Sequence, residues 1–227
     1  MLTNRQLLLP YMAPYLAYVA IASLPGEILS REVNYGLRLV VVSALLFWAR
    51  RWYCRLTGPG SPFVSALWGV AAGVAGTGLW IGLLAPFVPD SGAAEWSGPA
   101  FVLRLLAAGL LVPVFEELMM RGYVFRVALQ WGRERKNGGQ ALQTVLDERS
   151  LGEVGAGEWS WVAVVVSTVV FAAGHGVPEW PGAIAYGLLM CLLWAWRRDL
   201  VSCIVAHATT NIVLAAYVLT SGNWQYW

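Results

Sequence analysis

Charge is what this sequence has least of. Asp, Glu, Lys and Arg make up 12% of its 227 residues against 58% hydrophobic, and the mean hydropathy is +0.59. Soluble domains carry about 25% charged residues, so this composition excludes a water-soluble globular protein and points to a polytopic membrane protein. Lysine is almost missing: among 15 basic residues, for a net charge of +2, Lys136 is the single lysine. The arginines are dispersed, with no basic patch interleaved with aromatics, which argues against a nucleic-acid partner. Three cysteines, Cys54, Cys191 and Cys203, are an odd number without CxxC spacing, so neither a disulfide framework nor a thiolate zinc site is expected. Histidine is rarer still, with two in the whole chain.

What is abundant is long apolar sequence. A helix needs about 20 predominantly apolar residues to cross a bilayer, and seven runs approach that length, at 7–24, 33–49, 62–88, 99–125, 160–175, 181–196 and 200–220. The expected fold is an all-α bundle of about seven transmembrane helices in one domain covering 1–227. Between the fourth and fifth runs, 126–159 carries RERK at 133–136, Gly138, Gly139 and DERS at 147–150, and reads as a polar cytoplasmic loop. Placing the N-terminus and Arg5 inside also puts Arg50, Arg51, Arg55, the arginines of 126–159, Arg197 and Arg198 inside, as the excess of Lys and Arg in cytoplasmic loops requires. The outer loops then hold Glu27, Glu32, Asp90, Glu95 and Glu179 with Arg31 alone, while Arg38 and Arg104 sit near the outer ends of their spans. The C-terminus falls outside, where Trp224, Tyr226 and Trp227 suit an interfacial anchor. The first run has the outline of a signal peptide, but Pro10, Tyr11, Pro14, Tyr15 and Tyr18 make a poor signal core, and it is expected to be retained. In the third run, Gly69-x-x-x-Gly73 and Gly78-x-x-x-Gly82 have the spacing that lets helices approach closely.

The scarce polar residues are not scattered. The fourth run contains PVFEELMMRGYVF at 113–125, with Glu116, Glu117 and Arg121 in otherwise apolar surroundings. Ionisable groups inside a membrane segment are costly and mark functional sites. Glu117 and Arg121 are four apart and share a helical face, so they can pair. Glu116 lies about 100° around the helix, without a local partner. Low dielectric favours the neutral form of a carboxyl, which suits a base working near neutral pH. His175 ends the fifth run in FAAGH, one turn after Phe171; His207 lies in the seventh, with Asn211 one turn later on the same face.

Such a set can hydrolyse an amide bond: a carboxylate takes a proton from water, a histidine orients it, and neutral donors hold the developing oxyanion. Glu116, His175, His207 and Asn211 have those roles available. The two histidines with Glu116 could alternatively bind zinc as a His2Glu site, although the local HExxH spacing is absent. Cys203, four residues before His207, could act as a nucleophile, but that leaves Glu116, His175 and Asn211 unexplained. Measured against span centres, Glu116 and His207 lie near mid-membrane while His175 comes out several ångströms outward. The set converges only if the fifth span is shifted, tilted or short.

Together, Glu116-Glu117-x-x-x-Arg121, Phe171-x-x-x-His175 and His207-x-x-x-Asn211, in that order on separate apolar helices, resemble the CPBP family of intramembrane endopeptidases, which includes the type II CAAX prenyl proteases. The resemblance covers roughly 99–220. It implies that Glu116 activates water, that His175 assists, that His207 and Asn211 form the oxyanion hole, and that Glu117, Arg121 and Phe171 support the site or position substrate. It implies a polypeptide substrate in or at the bilayer and a metal-free glutamate mechanism, with zinc on Glu116, His175 and His207 as the alternative. PYMAPYLAYVA near the start, SLGEVGAGEWSW before the fifth run and the ending AAYVLTSGNWQYW are similar to the CAAX-protease-related proteins that accompany exosortase (PEP-CTERM) sorting systems in the bacterial inner membrane. That branch implies a C-terminal sorting segment as substrate, prenylated or not. Two other classes compete: a non-enzymatic partner or immunity-type membrane protein, in which the polar residues only hold helices together, and a proton-coupled transporter, which the absence of an internal repeat weakens.

Overall fold

The computed structural model describes residues 2–88 and 92–227; Asp90, expected in an outer loop, lies outside the described residues. All regular structure among them is helical. The principal helices are α1 (Asn4–Ala22), α2 (Arg31–Ala49), α3 (Pro62–Leu84), α4 (Gly98–Glu134), α5 (Ala141–Glu148), α6 (Trp161–Ala173), α7 (Trp180–Arg197) and α8 (Leu200–Ser221). Each of the seven apolar runs becomes one helix, and α5 is a short addition in the polar segment. By length and composition α2, α3, α4 and α8 can each cross a membrane, and α6 is a shorter apolar helix. The bundle presents Val40, Phe63, Trp161 and Leu192 outward with two-thirds or more of their surface exposed, the pattern of side chains solvated by lipid. The fold is thus an all-α integral-membrane bundle of about seven transmembrane helices.

Helix α4 spans 37 residues, about 55 Å at the usual rise, well beyond the roughly 30 Å hydrocarbon core. Its last turns therefore leave the bilayer, and the segment 126–159 folds back on them. Asn4 Nδ2 donates to Gln130 Oε1 at 2.7 Å and to the Val145 carbonyl at 2.8 Å, and the Tyr123 hydroxyl donates to the Asn4 carbonyl at 2.9 Å. Arg126 stacks on Trp194 and donates to the Leu151 carbonyl. On its wet face, the hydrogen bond from Arg5 holds the Asp147 carboxyl below the usual carboxylate range, and Arg133 does the same for Glu158.

The glycines of α3 divide. Gly69 and Gly73 lie against α8, where an added Cβ would meet the carbonyls of Ser202 and Ala206 at 2.7 and 2.5 Å. Gly78 and Gly82, which have the same spacing, face nothing within 4 Å. The close approach therefore belongs to the first pair, and the Thr210 hydroxyl uses it to donate to the Gly73 carbonyl at 2.9 Å. At the start of both helices Ser65 donates to Asp199, which also caps α8 by accepting from the Ser202 N–H at 2.8 Å. Gly73→Leu should lower the thermal unfolding temperature of detergent-purified protein by several degrees or abolish folded yield, while Gly78→Leu should leave both unchanged, as size-exclusion and melting curves would show.

Candidate active site

The site grows from irregularities in α4. Pro113 has no N–H to give, and the backbone around it runs as a π-helix over Ala107–Leu111, then α over Val112–Glu117, then π again over Leu118–Val124. In the first π stretch the Val112 N–H bonds the Ala107 carbonyl. The Ala108 carbonyl is thereby left without its helical donors, because the next in line would be Pro113. Asn211 supplies the missing bond, its Nδ2 donating to the Ala108 oxygen at 2.7 Å across to α8. One of the two amide N–H groups of Asn211 is so committed, and the other remains.

The six-residue α segment between the π stretches carries both glutamates, and they part company. Glu117 points into the bundle with no exposed surface, as does Arg121. Arg121 Nη1 lies 3.2 Å from Oε2 and 3.3 Å from Oε1 of Glu117, and Nη2 donates to the Gly187 carbonyl of α7 at 3.1 Å. The expected pairing is present, with a third member that the i, i+4 rule does not reveal: His207 Nδ1 is 3.1 Å from Glu117 Oε1. With that proton on Nδ1, Nε2 of His207 turns toward Glu116, 3.9 Å from its Oε2. The Glu116 side chain keeps 16% of its surface exposed and faces a cavity.

His175 lies just past the C-terminus of α6, in the turn leading to Val177–Glu179. With 13 residues α6 is short, the condition on which convergence depended. The His175 Nδ1 is 2.9 Å from the Phe171 carbonyl, so the imidazole spends one nitrogen on the helix end and keeps Nε2 free. Phe171 stacks beside it with centroids 4.7 Å apart and also meets the His207 ring at 6.4 Å. Trp80 covers the other side of His175 at 5.4 Å. Glu116, His175, His207 and Asn211 line one cavity of about 220 Å³, with Tyr186 and Thr210 in its wall. Tyr186 donates to Thr210, and its ring lies 5.8 Å from His207. Sequence reasoning passed over Tyr186; its offset from the His and Glu motifs carried no signal of its own.

The family model described as type II CAAX prenyl endopeptidase Rce1-like matches residues 98–213, just over half of the chain and a stretch containing Glu116, His175, His207 and Asn211. The chain belongs to that family. The Rce1-like protein is accordingly an intramembrane endopeptidase of the CAAX type. No curated protein and no solved structure matches the chain.

Both histidines of the Rce1-like protein have Nδ1 engaged and Nε2 available, an orientation that zinc ligands also adopt. Among the described residues no three His, Cys, Asp or Glu side chains are grouped to hold one metal ion. Cys203 is wholly buried, and its thiol points to the Met190 and Asp199 carbonyls, away from the cavity lining. It packs as a small apolar residue.

Arg121→Met removes one partner of a fully buried pair and leaves the Glu117 charge uncompensated. It should cost about 3–5 kcal/mol, measured by denaturant or thermal unfolding in detergent. The double variant with Glu117→Leu should recover a large part of that loss.

Proposed function

We propose that this Rce1-like protein cleaves a peptide bond of a membrane-associated polypeptide with a water activated by Glu116, assisted by His175, the oxyanion being held by His207 and Asn211. The observation carrying this reading is that the four side chains share one cavity while Glu116, unlike the other three, forms no hydrogen bond with any of the described residues. A carboxylate free of donors keeps its lone pairs for water, whereas Glu117 has spent its own on Arg121 and His207. In the first step Glu116 takes a proton from water as the water oxygen bonds to the scissile carbonyl carbon, and the carbonyl electrons move to oxygen. His175, fixed by the Phe171 carbonyl, presents Nε2 to the same water. The second N–H of Asn211 and the Nε2 side of His207 are the donors available to the oxyanion, and Glu117 supports the charge that His207 carries when it donates. In the second step the C–N bond breaks and Glu116 returns the proton to the leaving amine. This scheme needs no metal.

The cavity's position bears on the substrate. Its lining includes Tyr18 near the end of α1, Tyr35 near the start of α2, Arg104 near the start of α4, Glu179 and Tyr226. These lie at the opposite end of the bundle from 126–159. With 126–159 in the cytoplasm of a bacterial cell and the N-terminus inside, the mouth opens on the outer face of the inner membrane. That favours a C-terminal sorting or processing segment of an envelope polypeptide, as the exosortase-associated branch implies, over a prenylated cytoplasmic chain.

Glu116→Gln keeps the size of the side chain and removes the base. Turnover of a membrane polypeptide substrate should fall about 100- to 10,000-fold with an unchanged melting curve, and cleavage at the parental rate would disprove the role given to Glu116. Chelation should leave cleavage of the parent protein intact and metal analysis should find no stoichiometric ion; loss of activity restored by zinc would replace the metal-free scheme. The orientation is checked by fusions after residue 227: alkaline phosphatase should be active there and a cytoplasm-dependent fluorescent protein dark.

A further inference from the structure

Among the described residues Arg104 is the one arginine or lysine lining the cavity, and the reaction above gives it nothing to do. Its guanidinium lies between two indoles, 4.9 Å from the Trp96 centroid and 4.6 Å from that of Trp227. Stacking fixes the direction of a guanidinium while leaving its five N–H donors uncommitted. Among the described residues it forms no ion pair, unlike Arg121, Arg5, Arg133 and Arg149, which all meet carboxylates. Glu179, the other acid at this end of the cavity, accepts from the Gly176 N–H at 2.8 Å. Arg38 on the neighbouring helix is occupied by Asn34 and stacked on Tyr18 and Tyr35.

Arg104, Ala108, Val112 and Glu116 all line the cavity, so a single groove runs along α4 from the cation to the proposed base. Twelve helical residues correspond to about 18 Å of axis, slightly less with the π stretch between them. An extended polypeptide advances about 3.3 Å per residue and covers that distance in about five residues. Resting on the protease reading of Glu116, we propose that Arg104 is the anion-binding end of the substrate groove. It takes a carboxylate that lies about five residues from the bond to be cut. Bidentate pairing of a guanidinium with a carboxylate fixes register as well as adding affinity, so Arg104 sets which peptide bond reaches Glu116. A free C-terminus and an Asp or Glu side chain present the same group.

The test uses Glu116→Gln protein in zwitterionic nanodiscs and a fluorescent apolar decapeptide in three forms: C-terminal acid, C-terminal amide, and amide with one central glutamate. The acid or the glutamate form should bind about tenfold more tightly than the neutral amide, and which of them does so identifies the source of the carboxylate. Arg104→Gln should erase the preference and Arg104→Lys should keep part of it. Equal binding of all three forms overturns the proposal, as does an Arg104→Gln change that weakens every form alike, which would mark a stacking anchor for Trp96 and Trp227. Cleavage by protein with Glu116 intact is scored separately. A carboxylate preference without cleavage refutes the protease reading alone.

Discussion

A carboxylate and a guanidinium with no exposed surface, Glu117 and Arg121, meet 3.2 Å apart in the bundle interior, and the relation of α4, α7 and α8 depends on them. Either charge alone in low dielectric costs several kcal/mol, so neither helix face can rotate away from the other partners without exposing that cost. Arg121 reaches the Gly187 carbonyl on α7 and Glu117 reaches His207 on α8, so one ion pair sets the rotation and depth of three helices. His207 takes its orientation from this pair: its Nδ1 is held and its Nε2 faces Glu116. The placement of His207 against Glu116 is in this sense a by-product of satisfying a buried charge.

The backbone of α4 does the rest. Pro113 removes a donor, the helix relaxes into π turns on either side of the glutamates, and the Ala108 carbonyl freed by this is claimed by Asn211. An orphan carbonyl in hydrocarbon is expensive, which gives the α4–α8 contact a second fixed point beside the ion pair. Between those two points lies Glu116, turned to the cavity while its neighbour Glu117 is turned to the core. Adjacent residues in a helix differ by about 100°, and here that angle separates a carboxylate paired in the core from one that faces the cavity.

Around this polar centre the wall is aromatic and small. Trp80, Phe171 and Tyr186 shape the cavity and hold the two imidazoles edge to face, while Gly73 lets α3 and α8 approach until the Thr210 hydroxyl can bond across. The polar segment 126–159 is folded against the far ends of α1 and α4, away from the cavity. The molecule thus separates a wet, charged end from a cavity that meets the opposite side.

Composition and periodicity determined much of this unaided. Seven apolar runs in a chain with so few charges had to become a membrane bundle, and an i, i+4 Glu and Arg in one such run had to pair, because lipid offers no other partner. The candidate polar residues were likewise legible, since every ionisable group inside hydrocarbon demands a reason. Three things were decided only by the tertiary structure. His207 was legible as polar, but its bond to Glu117 joins residues ninety positions apart. Gly78 and Gly82 share the spacing of Gly69 and Gly73 yet lie off the contact, because which face of α3 meets α8 is a property of both helices. Whether His175 could reach the depth of Glu116 turned on where α6 stops and how π turns shift the register of α4, and the depth at which the two helices then meet is set by their packing against neighbours.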